Sequence, residues 1–235
     1  MKNERVAPQL REPRAAGVSP QGEGGASPPS KELFIIGVTG GMASGKSTIA
    51  RMIAGERFPH LDADALVHQL MATDAATIQA IGEAFPTALV NGAISRAQLS
   101  AAIAQDARHI ATLESILHPR VRAEEERAIA AARAEGKSAI ILDIPLLFET
   151  GADALCDAVL TASAPEDVRK SRAFARPGMT DAKWQRLIAR QWNDAQRNAR
   201  ADVVIDTTKT MKETQAQLDH LLDGWGLLRD GHCER

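Results

Sequence analysis

The stretch Val38–Thr48, VTGGMASGKST, decides the fold of this chain. Within it, Gly40–Ser47 matches the phosphate-loop pattern G-x-x-x-x-G-K-[ST] at every defined position. The apolar run Leu33–Thr39 precedes the loop and helix-forming residues follow over Lys46–Ala54, so the order is strand, glycine-rich turn, helix. This context predicts a loop that binds nucleotide phosphates, rather than a turn that only connects a strand to a helix.

The backbone of such a loop curls so that its N–H groups, and the N terminus of the following helix, face phosphate oxygens. We therefore expect ATP to bind here, with Lys46 reaching the β- and γ-phosphates and the Ser47 hydroxyl holding Mg²⁺. The loop residues predicted to bind the nucleotide are Gly40, Gly41, Met42, Ala43, Ser44, Gly45, Lys46, Ser47 and Thr48.

Short apolar runs separated by helical patterns supply the remaining strands. Buried runs of this kind suit a parallel sheet covered by helices on both faces, so we expect a three-layer α/β/α fold. The further strand candidates are Phe58–Leu61, Ala139–Ile144, Ala158–Thr161 and Val203–Ile205.

The composition is that of one α/β core with one or two small insertions, because 44% of the 235 residues are hydrophobic. A formal charge of −2 gives no overall attraction to nucleic acid or membranes, so we expect a small-molecule substrate and neither of those partners.

The two cysteines, Cys156 and Cys233, lack metal-ligand spacing and fit the reducing cytoplasm. The longest apolar run, Ala139–Phe148, is shorter than the ~20 residues of a membrane helix. We expect a monomer or a weak homo-oligomer.

The chain divides by composition and pattern into five parts. Residues 1–32 are rich in Pro, Gly and Ser, which predicts a disordered extension, although a start codon assigned too far upstream would look the same. The other predicted parts are a core (33–63, 138–162 and 201–226), a helical insertion (64–137), a lid (163–200) and a flexible tail (227–235).

The insertion is predicted to be helical throughout. Ser95 begins a capping box that opens a helix through about Leu117, His118-Pro119 closes it, and Gly136 ends the block. On position alone, His118 is either a helix cap or dipole partner, or a ligand-binding residue.

Carboxylates that follow two predicted strands are candidates for the chemistry. In doubly wound sheets the carboxyl ends of the strands open onto the ligand crevice, and Leu61–Asp64 ends such a strand. Asp64 is placed to accept the proton of an attacking hydroxyl, with Asp62 supporting the loop or metal-bound water. The alternative role of Asp64 is to cap the next helix. Asp143 is either an aspartate that holds Mg²⁺-bound water or a strand-end carboxylate in a turn.

The segment 163–200 carries nine basic and four acidic residues in a nearly neutral chain. We interpret it as a lid that opens with a capping box at Ser163–Glu166 and whose arginines close over the transferred phosphoryl group. A solvated helix face is the alternative for most of these residues. Arg172 and Arg176 are retained as nucleotide-binding candidates because they lie four apart, on one face of the first lid helix.

Further short motifs follow Val38–Thr48 along the chain. They are LDAD at Leu61–Asp64, ISR at Ile94–Arg96 followed by Leu99, LHP at Leu117–Pro119, DIPLLFE at Asp143–Glu149, SAPE at Ser163–Glu166 and ADVVID at Ala201–Asp206. Together these motifs resemble the bacterial dephospho-coenzyme A kinases over about Phe34–Trp225. The LHP and PLLFE elements are not expected of adenylate or gluconate kinases.

The resemblance implies transfer of the γ-phosphoryl group of ATP to the ribose 3′-hydroxyl of dephospho-coenzyme A, the last step of coenzyme A synthesis. It implies an adenylate-kinase-like core of five parallel strands with a helical substrate domain and a lid. By matching position, Asp64 is the general base, Thr39 lies near the reacting groups and Arg172 is the principal lid arginine. Arg96 and His118 fall in the segment that contacts the coenzyme A portion.

Two departures from the family pattern are visible. Ala43 replaces a frequent glycine, which we expect the loop to tolerate because neither residue is bulky. The stretch Ser163–Arg172 is one residue longer than in some members, which makes Arg169 a competitor of Arg172.

Other functions stay open on the residues alone. A kinase of this shape could act on a nucleoside monophosphate or a sugar acid. A GTP-dependent switch would need a guanine-selecting N-K-x-D element, which the sequence lacks. A non-catalytic interaction module would require a vestigial phosphate site, although Lys46, Ser47 and Asp64 are all present.

Overall fold

The computed structural model describes residues 32–106 and 108–228. The predicted disordered extension, apart from its last residue, lies outside these residues, as do Cys233 and the predicted tail beyond residue 228. The described residues form two compact units. The first contains those up to His60 and from Ala132 onward, and the second contains Leu61–Ala131.

Strands and helices are interspersed along the described residues. The strands are β1 (Phe34–Gly40), β2 (His60–Asp62), β3 (Leu89–Val90), β4 (Ala93–Ile94), β5 (Ala139–Asp143), β6 (Ala158–Ser163) and β7 (Val203–Asp206). The helices are α1 (Lys46–Ala54), α2 (Ala63–Thr73), α3 (Ala75–Ala84), α4 (Arg96–Gln105), α5 (Arg108–Ala134), α6 (Glu166–Phe174), α7 (Asp181–Ile188), α8 (Asp194–Arg200) and α9 (Met211–Gly224). Among the described residues, no helix is long and apolar enough to cross a membrane.

The main sheet has five strands in the order β2-β5-β1-β6-β7. The central strand β1 is parallel to both its neighbours, and β6 is parallel to β7, which confirms the predicted α/β class with a five-stranded parallel sheet. The register pairs Val38 with Asp143, so β1 and β5 end side by side. Ligands of doubly wound sheets bind outside such carboxyl ends, where the connections leave in opposite directions.

The core of the first unit fixes the phosphate loop at both ends. Ile36 and Val38 of β1 and Ile49 of α1 are at most 2% exposed, and they pack in one cluster with Leu218 of α9. Full burial of a side chain of this size contributes about 1.5–3 kcal/mol. The strand before the loop and the helix after it are therefore both held firmly.

The second unit has a core of its own, formed by residues such as Ile81, Phe85 and Leu99. It also contains the antiparallel hairpin β3–β4, which the prediction of a wholly helical insertion missed. The turn residue Asn91 has φ of +51° and is followed by Gly92, also at positive φ. An Asn-Gly pair between short apolar runs is a strong hairpin signal, so the sequence did carry this information.

The predicted single helix from Ser95 to about Leu117 is two helices in the structure. Ser95 does cap α4, since its hydroxyl accepts from the N–H of Gln98 at 3.4 Å. The helix then stops at Asp106, whose backbone is extended (φ −147°) and whose carboxylate accepts from the N–H of Arg108. The side chain thus substitutes for the backbone bonds that would have continued α4.

The prediction that His118-Pro119 closes a helix is wrong, because Pro119 lies inside α5. A proline removes only its own N–H bond and strains the preceding turn, which a helix of 27 residues can accommodate. Arg120 donates to the carbonyl of Ile116 at 2.6 Å and so supplies a side-chain donor beside the weakened turn.

Two boundaries in the first unit also differ from prediction. The second strand starts at His60 rather than Phe58, whose N–H instead bonds to Ala54 in the turn after α1. The predicted capping box at Ser163 is wrong, because Ser163 extends β6 and pairs with Asp206. The residue that precedes α6 is Pro165, which makes no side-chain cap.

Candidate active site

The phosphate loop has two residues in the left-handed region of backbone space. Gly45 has φ of +96° and starts α1, a conformation that glycine adopts without a penalty. Ala43 has φ of +58°, which costs an L-residue about 1–2 kcal/mol. The expectation that alanine is tolerated here because it is small therefore overlooked the backbone, which is the strained part.

Thr207, in the segment after β7, braces the loop from outside. Its hydroxyl donates to the carbonyl of Ser44 at 2.6 Å, and its backbone N–H bonds to Ser163 at the end of β6. Inside the loop, the N–H of Ser44 bonds to the carbonyl of Gly41 at 3.0 Å. The curled loop is therefore held by one internal hydrogen bond and by Thr207, which is itself fixed to the end of β6.

Lys46 forms an ion pair with Asp143, whose side chain is fully buried at the end of β5. On the other side of the carboxylate, Nε2 of His60 lies 3.9 Å from Oδ2. Burial raises the pKa of Asp143, but the nearby side chains of His60, Lys46 and Ser47 outweigh burial and hold the pKa below its ordinary value of 3.8. Asp143 is thus an anion at neutral pH, and it is a buried partner of Lys46 rather than a residue of an open turn.

The surroundings of Asp143 fit the magnesium ion that the sequence predicts. Its Oδ2 is buried and has no hydrogen-bond partner among the described residues, and Ser47 lies close to the carboxylate. Within the described part of the chain, no group of three or more His, Cys, Asp or Glu side chains could hold a metal ion by itself. Ser47 and Asp143 would therefore share such an ion with phosphate oxygens and water, as is usual for Mg²⁺.

Two buried arginines of the lid segment lie against the phosphate loop. A Cβ on Gly41 would stand 2.7 Å from Nη1 of Arg169 and 3.2 Å from Nη1 of Arg197, so a larger residue there would displace the Arg169 guanidinium group. Asp194 holds both guanidinium groups, accepting from Arg169 at 2.6 Å and from Arg197 at 2.8 Å. Two cations share one carboxylate, which leaves net positive charge beside the loop. Gln191 adds a further contact, since its side-chain oxygen accepts from the N–H of Met42 at 2.9 Å.

Arg172 and Arg176 line a different place, a cavity of about 340 Å³ behind the loop. Arg172 donates to the hydroxyl and the carbonyl of Thr207, at 3.1 Å and 2.7 Å. The prediction that both arginines lie on one helix face is wrong, because α6 ends at Phe174, two residues before Arg176. They nevertheless meet at one cavity, together with Gly45 of the loop.

The predicted acceptor residues near β2 belong to the second unit. Asp62 caps α2, since its carboxylate accepts from the N–H groups of Asp64 and Ala65 at 3.0 Å and 3.1 Å. Capping, considered as the alternative role of Asp64, is therefore carried out by Asp62 instead. Asp64 is exposed in the first turn of α2, where a carboxylate is favoured by the helix dipole.

The remaining predicted residues are spread over both units. In the first, Thr39 is fully buried, and its hydroxyl donates to the carbonyl of Pro145 at 3.1 Å. In the second, Arg96 is exposed at the start of α4 and His118 is exposed on α5.

Sequence reasoning missed several residues that the structure brings to the loop. None of them belongs to a recognisable motif. Thr207 and Gln191 contact loop residues that lie 163 and 149 positions away along the chain. Asp194 binds Arg169 from 25 positions away. The ADVVID landmark was the available signal for Thr207, which follows it directly. Nothing in the sequence marked His60 as a neighbour of Asp143.

Comparisons with known proteins identify the family of the chain. A family model described as dephospho-CoA kinase matches residues 34–213. The dephospho-CoA kinase of Rhodopseudomonas palustris is 43% identical over 190 residues, which cover 81% of this chain and 94% of the relative. That of Agrobacterium fabrum is 36% identical over 194 residues, covering 83% of this chain and 99% of the relative.

Solved structures share the fold. A crystal structure from Thermus thermophilus has a TM-score of 0.70 and 28% identity, covering 83% of this chain and 98% of the other. The dephospho-CoA kinase from Campylobacter jejuni has a TM-score of 0.61 and 23% identity, a likeness that shows the fold alone, over 81% of this chain and 96% of that one. The resemblance inferred from the motifs is confirmed, and the chain belongs to the dephospho-CoA kinase family.

Proposed function

We propose that this protein transfers the γ-phosphoryl group of ATP to the ribose 3′-hydroxyl of dephospho-coenzyme A, giving coenzyme A and ADP. The observation that carries the proposal is the phosphate loop at the carboxyl end of β1, with Lys46 paired to the buried Asp143 beside it. A backbone loop and a lysine of this kind bind the β- and γ-phosphates in phosphoryl-transfer enzymes. Family membership supports the identity of the acceptor.

The chain's own residues would position the nucleotide. The loop amides and the N terminus of α1 bind phosphate oxygens, Lys46 moves onto the β- and γ-phosphates, and the cavity lined by Arg172 and Arg176 takes the rest of the nucleotide. Ser47 and Asp143 would hold Mg²⁺, which when bound neutralises charge on the β- and γ-phosphates.

The acceptor side is proposed from the second unit. Asp64 takes the proton of the attacking 3′-hydroxyl, while Asp62 shapes the start of α2 and so fixes the position of Asp64. Arg96 and His118 bind the coenzyme A portion, and Thr39 positions the segment after β5 through Pro145. The exposure of Asp64 is compatible with this role, because a general base must be reachable by its substrate.

The experiment that tests the proposal is a product analysis. We expect incubation with ATP, Mg²⁺ and dephospho-coenzyme A to yield a product heavier by one phosphoryl group and phosphorylated at the 3′ position, detected by mass spectrometry. Parallel reactions with AMP and gluconate test the rival acceptors. Turnover of either of these in preference to dephospho-coenzyme A would overturn the assignment of the acceptor and leave the nucleotide site intact.

We expect the lid arginines Arg169 and Arg172 to have different roles in the reaction. Arg169 is directed at the phosphate loop and Arg172 at Thr207, so Arg169→Ala should lower kcat by about 10²–10³-fold, while Arg172→Ala should mainly raise the KM for ATP. The family resemblance implied that Arg172 is the principal lid arginine, with Arg169 as its competitor.

Steady-state kinetics of the two variants decide between these assignments. Arg186→Ala, at an exposed basic residue of α7, is the matched control and should behave as the wild type. A fall in kcat for Arg172→Ala with a normal KM, and no such fall for Arg169→Ala, would return the principal role to Arg172.

Location and assembly are the remaining parts of the proposal. We place the enzyme in the cytoplasm, as a monomer or weak homo-oligomer that acts on a small molecule. The buried Cys156 suits a reducing compartment.

A further inference from the structure

His60 and Asp143 each have an unused polar atom, and the two atoms face one another. Nε2 of His60 and Oδ2 of Asp143 are both buried, and neither has a hydrogen-bond partner among the described residues. They lie 3.9 Å apart, too far for a direct hydrogen bond. The side chains are 21% and 0% exposed, so solvent reaches the carboxylate poorly. Buried polar atoms normally have partners, and this pair therefore needs an explanation.

Lys46 provides an explanation for this pair, because its ammonium group has two alternative binding partners. In the structure it is paired with Oδ1 of Asp143. In the proposed function, on which this inference rests, the same ammonium group reaches the β- and γ-phosphates of ATP. When it turns to the phosphates before Mg²⁺ is bound, its contact with Asp143 weakens, and a fully buried carboxylate is left short of donors. Such a group is unstable unless another donor takes over.

We propose that His60 is a positioning residue, which donates from Nε2 to Oδ2 of Asp143 when Lys46 engages the nucleotide phosphates. A shift of about 1 Å brings the two atoms within hydrogen-bond distance. A neutral imidazole with its proton on Nε2 is sufficient for this contact, so no change of protonation is needed. His60 keeps Asp143 in place and charged, without itself touching the nucleotide.

A double-mutant cycle tests the transfer of the contact from Lys46 to His60. Lys46→Met removes the first donor permanently, so Asp143 should then depend on His60. We expect His60→Leu to lower the thermal unfolding midpoint by at least about 3 °C more in the Lys46→Met background than in the wild type. Equal shifts in the two backgrounds would overturn the proposal, because His60 would then only fill space.

Nucleotide binding supplies the second readout, measured by calorimetry with ATP in the absence of Mg²⁺. His60→Leu should weaken ATP binding by about tenfold, whereas His60→Gln, whose amide nitrogen replaces Nε2, should bind within about twofold of the wild type. His220→Leu, at an exposed histidine of α9, is the matched control. If the leucine and glutamine variants bind ATP equally, the donor role is wrong. Neither measurement involves the acceptor, so a wrong acceptor in the proposed function would leave both results unchanged.

Discussion

Asp64→Asn should lower kcat by about 10²–10⁴-fold and leave ATP binding nearly unchanged, because a positioned base contributes about that much to a proton transfer. Asparagine has almost the same shape but cannot accept the proton of the 3′-hydroxyl. The nucleotide contacts proposed for the phosphate loop belong to the first unit, whereas Asp64 lies on α2 of the second. Turnover and ATP affinity should therefore separate, as measured by steady-state kinetics and by calorimetry.

The matched control for this variant is Asp74→Asn. Asp74 also lies at a helix start in the second unit, where its carboxylate accepts from the N–H of Thr77 at 2.8 Å, and asparagine caps a helix equally well. This control removes a charge from a comparable position and should keep normal kcat. Normal turnover by Asp64→Asn would show that another group removes the proton.

Lys46→Met should abolish useful turnover, with kcat/KM reduced by about 10³-fold or more, and should also destabilise the fold. The two effects have different causes. Loss of the ammonium group removes the charge that stabilises the transferred phosphoryl group. It also leaves Asp143, fully buried, without its ion-pair partner, and breaking a buried pair from one side costs about 3–5 kcal/mol. Kinetics measure the first effect and thermal or denaturant unfolding the second.

The double variant Lys46→Met, Asp143→Asn separates the two causes. Removing the unpaired charge should recover most of the lost stability and none of the activity. The pH dependence gives a further check. Because the pKa of Asp143 is lowered in the folded state, the ion pair stabilises the protein fully above pH about 4 and is lost as the pH falls through the folded-state pKa. Stability that did not recover in the double variant would contradict a charge-based cause.

The sequence predicted those parts of the fold that depend on short-range patterns. The bounds of α1 were correct because a strand, a glycine turn and a helix follow one another without a gap. The sheet was correct because buried parallel strands are short apolar runs, which β5 illustrates with five buried residues in a row. Helix ends were less accurate, since Pro119 is accommodated inside α5 although proline usually ends a helix.

Long-range contacts at the site could not be predicted from patterns. The approach of Arg169 to Gly41 depends on how α6 and α8 pack, and its partner Asp194 is 25 residues away along the chain. The pairing of Lys46 with Asp143 was anticipated only as two separate residues of a metal and phosphate site. The register of β1 against β5 brings the two residues together, because Asp143 pairs with Val38 just before the loop.

The left-handed backbone of Ala43 sets the mutational tolerance of the phosphate loop. About half of the strain of about 1–2 kcal/mol is offset because alanine has less freedom than glycine to lose on folding, a difference of about 0.5–1 kcal/mol. Evolution can therefore exchange alanine and glycine here at a small cost in stability, and asparagine is the next most acceptable residue. Valine, isoleucine and threonine are excluded by the torsion angle even where their volume would fit, so homologues should vary at this position within a small set of residues.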